Sequence, residues 1–146
     1  MASTTLQFSI KSISTDEFAT IKNCYSQQEQ VGIETGYGYG INPEEHAVFV
    51  NFSLQFKCKE NPFIILKISC GFEIEQEDFQ KLKNQENSRI TLPKGFLTHL
   101  TVLTIGTARG VLHAKLEKSG FEQFILPTLN IADMIKEDME FELHTA

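Results

Sequence analysis

A chain of 146 residues, 41% hydrophobic and 22% charged, has the length and balance of one globular unit built around one core. Thirteen basic against nineteen acidic residues leave a net charge of −6, which argues against nucleic acid and anionic membrane surfaces, since both need a basic face. No apolar run reaches the roughly 18 residues of a membrane-spanning helix, and Met1 to Ile10 lacks the basic start and long apolar core of a signal peptide. Three cysteines (Cys24, Cys58, Cys70) without an export signal read as reduced thiols of a cytoplasmic protein. Twelve Phe, three Tyr and no Trp suit a sheet-rich core or an apolar binding surface.

Four segments alternate with period 2 and read as half-buried strands. The first carries Leu6, Phe8 and Ile10 on its apolar side. Thr15 to Asn23 then has room for one or two helical turns. The second strand runs from Val31 to Ile41, the third from Val48 to Cys58 and the fourth from Ile64 to Ile74. Asn42-Pro43-Glu44-Glu45 and Lys59-Glu60-Asn61-Pro62 are tight turns, so strands two, three and four form an antiparallel meander. Gln76 to Asn87 is polar, with Phe79 and Leu82 isolated, and reads as a crossover segment. Ser88 to Pro93 leads into a long helix from about Lys94 to Lys118, with Pro93 suited to its first turn. At full length that helix spans roughly 35 Å. Gly120 is a plausible stop, Phe121 to Pro127 an extended apolar link, and Asn130 a cap for a second helix from Ile131 to about Met139. The tail, Glu140 to Ala146, is expected to fray. Strands first and helices last define an α+β fold: a four-stranded antiparallel sheet, a crossover segment, one long helix and a short C-terminal helix, in one domain over 1–146.

The polar residues form no catalytic constellation. Ser, His and Asp are present, but no spacing selects a triad. His46, His99, His113 and His144 include no i, i+4 pair, and His99 and His113 are too far apart on one helix to share a metal, so neither metal nor cofactor is expected. In a hairpin register pairing Cys58 with Pro62, Cys70 falls opposite Val50, out of reach of a disulfide; both cysteines read as small buried hydrophobes. Gly36-Tyr37-Gly38-Tyr39-Gly40 puts its glycines on one face of a strand with no helix following, so it is no phosphate cradle. It is either a bend in an edge strand or a bare face that a side chain, a second subunit or an extended peptide approaches closely. Gly106 and Gly110 cost the long helix about 2 kcal/mol relative to alanine. Close packing on its own sheet or against another subunit would compensate, and Arg109 between them suits a carboxylate or a carbonyl.

Three stretches resemble the helix-and-link region of the SecB export-chaperone family: Leu92-Pro93-Lys94-Gly95-Phe96-Leu97-Thr98-His99-Leu100, then Ala108-Arg109-Gly110-Val111-Leu112-His113-Ala114-Lys115, then Phe124-Ile125-Leu126-Pro127-Thr128-Leu129-Asn130-Ile131. With the order of elements, the resemblance covers about Val31 to Ile135. It implies a non-enzymatic chaperone subunit, a homotetramer built as a dimer of dimers, that holds unfolded or pre-secretory polypeptide without ATP and hands it to the translocase motor SecA. Phe63, Ile65, Phe79, Leu82, Ile90 and Leu92, apolar residues outside the regular pattern, are the candidates to line a polypeptide-binding groove, the alternative being that most of them complete the core. Gly106, Arg109, Gly110 and His113 are the candidates for the subunit interface. Two features depart from the family: the segment Ser14 to Gln30 is long, and Lys57 and Lys67 mix with Glu73 and Glu75 on the sheet face where SecB presents acidic residues to SecA. A dedicated partner, such as a toxin–antitoxin or phage client, and a small-ligand-binding domain are the alternatives.

Overall fold

The computed structural model describes residues 6–84, 86 and 88–143. Four long strands, β1 (Phe8–Thr20), β2 (Val31–Asn42), β3 (Ala47–Cys58) and β4 (Asn61–Ile74), form an antiparallel sheet in the order β1-β4-β3-β2. The two tight turns dictate the meander, and β1 adds to the free edge of β4. On β3 and β4 the alternation is strict: Val48, Val50, Phe52, Leu54, Phe56 and Cys58 are buried, as are Ile64, Leu66, Ile68, Cys70, Phe72 and Ile74. Cys70 lies opposite Val50 as expected, and all three cysteines are free thiols. Cys58 lies opposite Asn61 rather than Pro62, because the register shifts next to Phe56. Phe63 is the extra residue at that shift.

Strand β1 runs to Thr20, and only Lys22–Cys24 coil, as a single 3-10 turn; the helical turns expected over Thr15 to Asn23 are mostly strand. Register shifts at Lys11 and Asp16 reset the alternation. Phe8 and Ile10, then Ile13 and Thr15, then Phe18 and Thr20 therefore share one face, and no single period-2 pattern spans them.

The crossover is also structured. It holds α1 (Gln76–Lys81) and β5 (Lys83–Asn84), followed by β6 (Arg89–Leu92); these two strands and β7 (Met139–Glu142) make a second sheet, β5-β6-β7. The tail expected to fray from Glu140 is thus paired as far as Glu142. Ile90 opposes Phe141, Leu92 opposes Met139, and Arg89 bridges Glu140 at 3.1 Å and Glu142 at 3.7 Å. Residues 144–146, His144 included, lie outside the described residues.

Helix α2 (Lys94–Leu116) lies across the apolar face of the large sheet and buries Leu97, Leu100, Ile105, Ala108, Leu112 and Leu116. Its threonines are accommodated by back-bonding: Thr98, Thr101, Thr104 and Thr107 each donate to the carbonyl four residues earlier. Thr101 and Thr104 can therefore be fully buried with their hydroxyls satisfied. Past the helix, Gly120 takes a positive φ of 90°. The second helix is one turn, α3 (Ile131–Met134), rather than a helix reaching Met139. Asn130 hydrogen-bonds the Asp133 side chain at 2.7 Å instead of capping backbone. The Met134 carbonyl accepts from Tyr37 Oη at 2.8 Å, and Asp138 Oδ1 accepts the Lys94 N–H at the start of α2 at 2.8 Å. These two anchors flank the irregular segment between α3 and β7.

Candidate polypeptide-binding surface

Four of the six groove candidates belong to the interior. Phe63, Phe79, Ile90 and Leu92 are fully buried. As the extra residue at the β3-β4 shift, Phe63 packs with its ring centroid 4.9 Å from Tyr25, 5.1 Å from Phe124 and 5.4 Å from Phe121. Phe79 lies 5.0 Å from the His46 ring, with Lys83 Nζ 5.5 Å from its centroid. Ile90 and Leu92 are shielded by the β7 pairing. Ile65 is half-buried on the outer sheet face, and Leu82 is half-buried after α1. These six side chains do not converge on one groove, because partners distant in sequence cover four of them.

The exposed apolar surface lies elsewhere. On β1, Ile10 is 44% and Ile13 55% exposed; both stand on the helix side of an edge strand. On α2, Val102 is 49% exposed. At the other edge, β2 exposes Val31, Ile33 and Tyr37, and Ile125 is exposed in the link. The signal in the sequence was the apolar residues of the two strands that end as edges, which needs the strand order to be recognised.

The outward side of α2 holds Gly106, Gly110 and His113, all exposed. A Cβ at either glycine would meet nothing within 4 Å, so packing on its own sheet is not why they are small. His113 Nε2 lies 3.8 Å from Glu117 on the next turn. Arg109, for which a carboxylate or a carbonyl partner was expected, finds two carbonyls within the chain: Nε–H donates to the Leu126 carbonyl at 2.9 Å and Nη2 to the Pro127 carbonyl at 3.0 Å. Its fork ties the link to the helix.

Apart from Phe49 and Ile65, the outer sheet face of β3 and β4 is polar, and its lysines are paired. Lys11 pairs with Glu73, Lys67 with Glu17 and Lys57 with Glu34. Glu34 holds Lys57 above its ordinary pKa by hydrogen bonding. Ser69 donates to Asp16 or to Asn51 Oδ1. A shallow depression of about 480 Å³ overlies Gly36, Gly38, Asn51, Ser53, Lys67 and Asp16. On the inner face, burial raises the Cys70 thiol pKa against opposing hydrogen bonds from Thr104 and Thr107. Among the described residues, no group of three or more His, Cys, Asp or Glu is placed to hold a metal, and no helix is long and apolar enough to cross a membrane.

No family model matches the chain, and no curated protein matches it. Among solved structures it is similar to the Mycobacterium tuberculosis Rv1957 SecB-like chaperone, solved in complex with a peptide from the Rv1956 HigA1 antitoxin. The TM-score is 0.52 at 9% sequence identity, over 84% of this chain and 90% of that one. The four-stranded antiparallel sheet followed by a long and a short helix is a SecB-like α+β fold.

Proposed function

We propose that this chain is a cytoplasmic SecB-like holdase, which keeps unfolded or pre-secretory polypeptides soluble without nucleotide, cofactor or bond chemistry. The observation that carries the reading is the apolar surface left open on the helix side of the sheet, Ile10 and Ile13 on β1 and Val31, Ile33 and Tyr37 on β2, in a SecB-like fold. Large exposed apolar side chains at the two opposite rims of one face suit contact with an extended polypeptide. Ile65 and Leu82 remain as partly exposed contributors. The subunits assemble as a dimer of dimers, with Gly106, Gly110 and His113 on the shared face of α2. The test is aggregation of a chemically denatured protein diluted into buffer without ATP. Suppression at near-stoichiometric tetramer is expected; an unchanged aggregation rate would sink the proposal.

A second reading, a single dedicated client, is favoured by the outer sheet face. The resemblance to SecB assigns that face to SecA through acidic residues, yet here Glu17, Glu34 and Glu73 are each neutralised by a lysine. The similar Rv1957 chaperone was solved with an antitoxin peptide. Affinity capture from the native host separates the readings: one stoichiometric partner supports the dedicated client, many partners the general holdase.

A further inference from the structure

We propose that the free edge of β2 is a strand-addition site for the client polypeptide, selecting extended segments with bulky, above all aromatic, side chains at alternate positions. This rests on the polypeptide-holding reading above and assigns it a place and a specificity. The two edges of the large sheet are built differently. Edge strand β1 has two register shifts, irregularities that keep a foreign strand from docking. Edge strand β2 has none of them. All 12 of its residues pair with β3 without a shift, it contains no proline, and its one charge, Glu34, is neutralised by Lys57. The unbroken register leaves no bulge to account for the glycines as a bend. Alternate residues of β2 direct their N–H and C=O away from β3, and among the described residues no other strand pairs with them. A row of free backbone donors and acceptors in strand geometry is complementary to another extended polypeptide.

The faces of β2 set the preference. Gly32, Gly36, Gly38 and Gly40 share the outer face, opposite Lys57, Ser53, Asn51 and Phe49. A Cβ at Gly32 or Gly40 would meet nothing within 4 Å and one at Gly38 only Asn51 at 4.0 Å, whereas one at Gly36 would crowd the Ser53 hydroxyl at 3.0 Å, so the stripe lies open at Gly38 and Gly40. This stripe is a trough with a backbone floor. An aromatic side chain on a neighbouring strand lies across such a glycine and covers its exposed backbone. On the other face Val31, Ile33 and Tyr37 stand exposed, and a depression of about 360 Å³ opens between Tyr37, Tyr39, Leu97 and residues 133–139. A second copy of β2 is the poorer occupant. Antiparallel pairing sets outer-face residues against outer-face residues, so glycines or Glu34 would meet glycines or Glu34 and the trough would stay empty.

The test uses the full chain and a synthetic peptide as long as β2, with Phe and Thr alternating and Lys at both ends; a control replaces every second Thr with Pro. Amide hydrogen exchange is followed residue by residue with and without peptide. New protection along Val31 to Ile41, absent with the proline control, is expected. Filling the trough by Gly38→Trp with Gly40→Trp should weaken peptide binding roughly tenfold, as two lost aromatic-on-glycine pairs would, at an unchanged melting temperature. If the double variant fails to fold, the exchange pattern of the native chain still decides. Peptide binding that protects other segments and leaves β2 unchanged overturns the site while leaving the holdase reading intact. Concentration-dependent protection of β2 without peptide also overturns it, by showing a second copy on the edge. Failure of the peptide to bind overturns it as well; the aggregation assay then shows whether the holdase reading falls too.

Discussion

Tyr39 and Thr101 join the sheet to the long helix with one hydroxyl relay. The Thr101 hydroxyl donates to the Leu97 carbonyl at 2.7 Å, so its oxygen is free to accept from Tyr39 Oη. Burial raises the Tyr39 pKa, the Thr101 bond opposes the shift, and Tyr37 adds to it. Burial raises Cys70 likewise. Both groups are acids held neutral by the fold, which fixes the sign of the pH effect. The unfolded chain loses these protons first, at about pH 8.5 for the thiol and about 10 for the phenol. The stability they contribute is fully present below those values and is lost as pH rises through the higher folded values. Denaturant titrations should therefore give a plateau near neutrality and a decline on the alkaline side. Cys70→Ala should remove the earlier part of that decline and Tyr39→Phe the later part. At neutral pH, Tyr39→Phe should cost on the order of 1 kcal/mol, since Thr101 keeps its bond to Leu97. An alkaline profile unaffected by either substitution would contradict this account.

The elements are positioned by contacts that bring distant parts of the chain together, and these decide what could be read beforehand. The link after α2 has no regular backbone ladder; Arg109 holds it by the carbonyls of Leu126 and Pro127, while Phe121 and Phe124 anchor it on Phe63. Arg109→Ala should destabilise the fold by about 1.5–3 kcal/mol, the range for hydrogen bonds to a charged donor. Arg109→Lys should recover only part of this, because an ammonium lacks the planar fork that serves two adjacent carbonyls. Urea unfolding midpoints at constant slope measure both. Strands β3 and β4 were legible because one face is wholly buried, which imposes strict alternation. Strand β1 was legible only at its start, around Phe8 and Ile10, because two bulges then restart its period. Strand β7 was hidden because Glu140-Phe141-Glu142 makes sense only beside Arg89 and Ile90. The burial of four groove candidates was hidden for a related reason. Phe63, Ile90 and Leu92 look surplus to the core until Tyr25, Phe121, Phe124, Met139 and Phe141 arrive from far along the chain. The SecB-like resemblance was read from α2 and the link, where local sequence and helical spacing coincide.

At the scale of the whole molecule, substitutions on the outward side of α2 test the proposed assembly separately from folding. In a lone subunit Gly106 and Gly110 lower helix propensity by about 1 kcal/mol each relative to alanine, and nothing lies within 4 Å of where their Cβ atoms would be. Leucine at either position would therefore improve the helix of an isolated subunit. If the two glycines instead let a second helix approach closely, leucine would hold the helices apart. If the proposed dimer of dimers forms through this face, Gly106→Leu and Gly110→Leu should leave the subunit fold intact, or make it slightly more stable, while shifting the mass seen by light scattering from tetramer toward dimer. Arg109 helps to separate the two effects, because its loss acts on the link rather than on this face and should lower stability without a first-order change in assembly. Tetramers that persist in both leucine variants would remove α2 from the interface. A lone subunit destabilised by leucine would place another part of the same chain over the glycines. Dissociation without destabilisation is the outcome that a face kept bare for a second helix requires.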